Sequence, residues 1–98
     1  MSIPNHYPRL TCLARTFPTL RNGSFAGIDP FDADLIRLDL RRNPAHSRAS
    51  REAVRFVLDV FNNGIPGKEH FNAVVAMASW DDEHRRAFLA WSEKPWWG

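Results

Sequence analysis

The segment Arg48–Asn62, RASREAVRFVLDVFN, constrains this chain more than any other stretch. At about 100° per residue, Ala53, Val54, Val57, Val60 and Phe61 fall on one face of a helix, and Arg48, Arg51, Glu52, Arg55 and Asp59 on the other. Ser47 or Ser50 is placed to cap its start, and Asn63-Gly64 to close it. A helix with so complete an apolar stripe must bury it, so the rest of the 98 residues must supply the covering elements.

Those elements also read as helices. In YPRLTCLARTF, Leu10, Leu13, Ala14 and Phe17 recur at i, i+3, i+4 and i+7, with Pro8 suited to a first turn and Pro18 ending the segment. RNGSFAG and NGIPG read as turns. Residues 29–42 are ambiguous. Asp29 as N-cap, Pro30 at N1 and Asp32 in the first turn argue for a helix carrying Phe31, Leu35 and Leu38. Alternation over 35–41 argues for a strand, but a lone strand has no partner, so helix is favoured. EHFNAVVAMAS is apolar almost all round, which predicts a helix at the centre of a bundle or one able to self-associate.

The C-terminal segment carries all four tryptophans. Ser79 with Asp82 reads as a capping box, and Trp80, His84, Ala87, Phe88 and Trp91 then share one sector of a helix. Pro95 ends it, leaving Trp96 and Trp97 either to fold back or to wait for a partner; folding back is favoured because a small domain gains from burying large side chains. The expectation is a single all-α domain of four to five short helices, most secure near 48–62, 69–78 and 80–93. Residues 1–46 form a variable part with one or two short helices, and 47–98 the helical core and tail. The expected core is Leu13, Phe17, Leu35, Val54, Val57, Phe61, Phe71, Val74, Val75, Trp80, Phe88 and Trp91.

Chemistry is sparse. His6, His46, His70 and His84 stand in no zinc-binding spacing, and on a helix Asp82 and His84 of DDEH point apart, so His84 reads as a satisfied core or boundary histidine. Cys12 has no partner for an internal disulfide and reads as a small buried hydrophobe. The glycine-containing loops lack the strand–loop–helix context and the Lys-Ser/Thr of a phosphate cradle. No catalytic residue, cofactor or metal site is therefore expected. With no apolar stretch near about 20 residues and no basic or apolar leader, a cytoplasmic protein without a membrane partner is expected.

Eleven of the thirteen basic residues are arginine, although the net charge is only +2. Arg48, Arg51 and Arg55 stripe one face of the central segment and could meet phosphates or an acidic protein surface. The blander reading is a solvated face, with Glu52 between Arg48 and Arg55.

RFVLDVFNNG (Arg55–Gly64), Phe71 and WDDEHRRAFLAWSEKPWW (Trp80–Trp97) resemble a group of short bacterial proteins common on prophages and integrated mobile elements. The resemblance covers residues 50–97 and brings no established activity and no site residue. It implies a setting: a bacterial cytosol, and an accessory role in which such proteins often bind a host protein, as anti-CRISPR proteins do. The expectation is thus a non-enzymatic protein-binding module contacting an unidentified protein through Trp96, Trp97, Leu89, Arg85 and Arg86. The alternative is nucleic-acid binding through Arg48, Arg51 and Arg55, and a homodimer is compatible with either.

Overall fold

The computed structural model describes residues 6–22, 25–65 and 68–98. Among the described residues six helices follow in order: α1 (Pro8–Arg15), α2 (Pro18–Arg21), α3 (Ala33–Arg42), α4 (Arg48–Phe61), α5 (Ala73–Ser79) and α6 (Asp82–Glu93). There is no strand among the described residues. The radius of gyration is 12.5 Å, close to the value of about 12.6 Å for a folded chain of this length. The predicted turns at NGSFAG and NGIPG lie partly outside the described residues.

Local chemistry explains the boundaries. Pro18 does more than stop α1, because it occupies the first turn of α2 and so adds a sixth helix. The cap of α3 is Asp32, not Asp29: its carboxylate accepts from the N–H groups of Asp34 and Leu35. Residues 35–41 are therefore helical. Ser47 caps α4 through the Ser50 N–H at 3.2 Å. At the other end Asn63 and Gly64 take left-handed backbone, and the Gly64 N–H reaches the Asp59 carbonyl at 2.8 Å. The cap of α6 is Asp81, which accepts from the His84 N–H at 2.9 Å. Ser79, expected to cap α6, instead donates back to the Val75 carbonyl.

The central helix is α4, not α5. Ala53, Val54, Phe56, Val57, Leu58 and Val60 are all buried, an arc of about 200°. That arc is wider than one apolar stripe because α1, α2, α3 and α5 all pack against α4 and the aromatic side chains of α6 reach it as well. Leu10, Leu13, Ala14 and Phe17 are buried from the first helical segment, as their spacing predicts. In α5 only Ala76 is fully buried and Val74 is 79% exposed, so the all-round apolar pattern does not mark a bundle centre. Seven residues are two turns, too short to be covered on every side. Leu35 is likewise 46% exposed while Ile36 is buried: Phe31 is buried from the segment before α3, and the helix itself turns Ile36, with Ala33 and Leu40, toward the core.

The face of α4 opposite the stripe is not simply solvated. Glu52 is 1% exposed, covered by the segment 68–72. Its carboxylate accepts the Asn72 N–H at 2.8 Å and the Arg55 guanidinium at 2.7 Å, so the buried charge is fully engaged. Glu69 completes the clamp, accepting from Arg37 at 2.6 Å and from the Asn62 side chain.

Candidate functional site

The C-terminal tail folds back. Beyond the C-cap at Lys94, the Trp91 indole N–H donates to the Trp96 carbonyl at 3.1 Å, and the last N–H, of Gly98, donates to the Val60 carbonyl at 3.0 Å. Val60 lies in the last turn of α4, whose carbonyls have no partner within the helix, so the tail serves as an outside donor there. The Trp97 ring meets Trp91 edge to face at 5.0 Å. It nevertheless remains 49% exposed, while Trp96 is half-buried beneath the Arg9 guanidinium at 4.0 Å.

Trp96 ends an apolar groove of about 450 Å³ between α1 and α6. Pro8, Arg9, Cys12, Leu13 and Thr16 form one wall, and Ala87, Ala90 and Trp91 the other. The groove exists because the facing side chains are small: Cys12 on α1 and two alanines on α6 leave a gap that the large rings elsewhere on α6 do not fill. Cys12 is accordingly exposed rather than a buried hydrophobe. The contiguous hollow beside it is lined by Tyr7, Leu10, Trp97 and Gly98 and shares Pro8, Arg9 and Trp96 with the groove.

The other expected contact residues divide. Arg86 precedes the groove residue Ala90 by one turn, whereas Leu89 (54% exposed) and Arg85 fall on the far side of α6. Arg85 bonds the Met77 carbonyl at 2.9 Å and pairs with Asp82, so it ties α6 to the end of α5. Arg9, Cys12, Ala87 and Ala90 are not among the contact residues expected from the sequence. Their i, i+3 spacing on each helix was visible, but nothing in it said that the two helices lie side by side.

In a cleft that shares no lining residue with the groove, Arg48 and Arg51 make no ion pair among the described residues, while Arg55 is held by Glu52. Two histidines are structural. His84 is buried against Phe17 and Trp80, with Nδ1 2.7 Å from Asp81 and Nε2 2.9 Å from the Thr19 hydroxyl. His46 stacks on Phe25 at 3.7 Å and meets Asp39 at 3.0 Å.

Three carboxylates are shifted. Burial would raise Asp39, but the Ala26 N–H and His46 outweigh it and hold the group below its ordinary range. The His84 backbone N–H, and then its ring, lower Asp81. Asp59 moves up because its partial burial outweighs the hydrogen bond from the Glu69 backbone N–H, and its Oδ1 has no hydrogen-bond partner among the described residues. The described residues contain no group of three or more His, Cys, Asp or Glu able to hold a metal. No described helix is long and apolar enough to cross a membrane. In comparisons with protein-family models, characterised proteins and solved structures, nothing matches the chain.

Proposed function

We propose that the protein is a non-enzymatic binding module that takes a segment of another protein into the α1–α6 groove, with Trp96 and Trp97 as anchors. The observation that carries this reading is the apolar groove ending at the half-buried Trp96 and continued by a hollow that the half-exposed Trp97 lines. A pre-positioned indole binds with little further loss of side-chain freedom, and tryptophan and arginine dominate interface energetics. The one charged residue in the groove lining is Arg9. Arg86 sits one turn from the α6 wall, so the fitting partner is an apolar helix or strand with acidic residues along its edge. Leu89 and Arg85 would form a separate contact. In a bacterial cytoplasm, as an accessory protein of a mobile element, the partner would be a host protein.

The test is a tagged capture from nuclease-treated bacterial lysate, repeated with Trp97→Ala and with Cys12 carrying a bulky maleimide adduct. A stoichiometric protein band lost in both altered forms supports the groove. A band that survives both places the contact elsewhere, and no band at all removes the reading.

A further inference from the structure

The arginine stripe of α4 is one wall of a larger trough. Two depressions, of about 700 and 580 Å³, abut and share Arg51, Arg55 and His70 in their linings. The first adds Arg37 and Arg41 from α3, and the second adds Arg48 at the start of α4. Five guanidiniums therefore face three carboxylates, Asp34, Glu52 and Glu69. The carboxylates are largely spent: Glu52 holds Arg55 and the Asn72 N–H, and Glu69 holds Arg37 and Asn62. Arg41, Arg48 and Arg51 have no ion pair among the described residues, and they are spread along the trough rather than gathered at one point.

We propose that this trough binds the phosphate backbone of single-stranded nucleic acid. Three reasons favour that occupant. Guanidiniums distributed along a channel suit a ligand with repeating charges better than one small anion. The site is concave, so a flexible strand can enter it, whereas a duplex would need a protruding element to enter its groove. The rest of the lining, with Leu38 and Leu40 among it, has no Phe, Tyr or Trp for bases to stack on, which predicts binding through phosphates with little dependence on sequence. No residue of the trough lines the α1–α6 groove, so this site stands or falls independently of the protein-binding reading.

The test is fluorescence anisotropy of a fluorescein-labelled 15-nucleotide oligo-dT with the full chain across a salt series. Three phosphate contacts give a log–log slope of about −2 for a single strand. Arg41→Gln/Arg48→Gln, which changes two exposed side chains at opposite ends of the trough, should weaken binding about tenfold or more at low salt and bring the slope toward about −0.7. Arg15→Gln/Lys94→Gln removes the same charge outside the trough and should leave both values nearly unchanged. An unchanged melting temperature shows that each variant is folded. The proposal is overturned by no binding at low salt, by equal loss in both double variants, by a duplex of the same length binding as tightly, or by polyglutamate of matched charge competing as well as the oligonucleotide.

Discussion

The indole of Trp97 lies on Gly64, where a Cβ would come within 2.8 Å of two ring carbons. Gly64 also has φ +69°, a backbone conformation that side-chain-bearing residues rarely adopt. The turn that closes α4 thus doubles as the seat of the tail.

Gly64→Ala should act in two ways. The left-handed backbone costs about 1–2 kcal/mol with any Cβ, and the methyl group pushes the Trp97 ring off its seat. The expected outcome is a lower melting temperature together with altered near-ultraviolet circular dichroism from the tryptophans. Repeating the change in a Trp97→Ala background should leave only the backbone cost, so the non-additivity measures the ring contact. Fully additive effects would mean that the ring does not rest there.

Phe56 is the hinge between α4 and α6. Its ring lies 5.1 Å from Phe88, 5.0 Å from Trp91, 5.5 Å from Phe71 and 5.9 Å from Phe17. Phe56→Ala should cost about 3–5 kcal/mol, enough to threaten the fold of a domain this small, whereas Val74→Ser on the exposed side of α5 should fall within about 0.5 kcal/mol of wild type. Chemical denaturation of the two variants checks this. Similar losses at both positions would restore α5 as a central helix.

These two residues mark how far the sequence could be read. The 3.6-residue period found α1, α4 and α6 and assigned Leu13, Phe17, Val54, Val57 and Trp80 correctly to the core. It could not rank the apolar segments by burial. Phe56 and Leu58 lie off the stripe of α4 and are buried because other elements cover both sides, a tertiary fact with no local signature. Glu52 was hidden for the same reason, since the segment that buries it is fixed by Glu69 and Asn72 from elsewhere in the chain. Trp96 and Trp97 were legible as candidates from residue type alone. The α1 wall of the groove beside them was not, because α1 and α6 are about seventy residues apart in the chain.

Cys12 offers a direct probe of that groove. It is exposed in the α1 wall, so it should be alkylated by a small maleimide in the native protein without denaturant. Mass spectrometry should show one adduct, with a melting temperature little changed. Labelling that appears only in denaturant would mean the groove is closed in solution.

Two carboxylates should move stability in opposite directions as the solution is acidified. Asp59 is raised by burial, so folding disfavours its ionised form. Its penalty is complete at neutral pH and is relieved as pH falls through the raised value. Asp59→Asn should therefore raise the melting temperature by a few degrees at pH 7 and by progressively less in acid. Asp81 is lowered by the His84 N–H and ring, so its contribution is complete above the ordinary carboxylate range and disappears as pH falls through the lower folded value. Asp81→Ala should lower the melting temperature at pH 7, and its curve should converge on wild type at the acid end. Thermal melts of the three proteins from pH 7 to pH 3 make the comparison. The wild-type minus Asp59→Asn difference should be negative and shrink on acidification, and the wild-type minus Asp81→Ala difference positive and also shrinking. If both differences have the same sign at pH 7, then either Asp59 has found a partner for its Oδ1 or Asp81 does not cap α6.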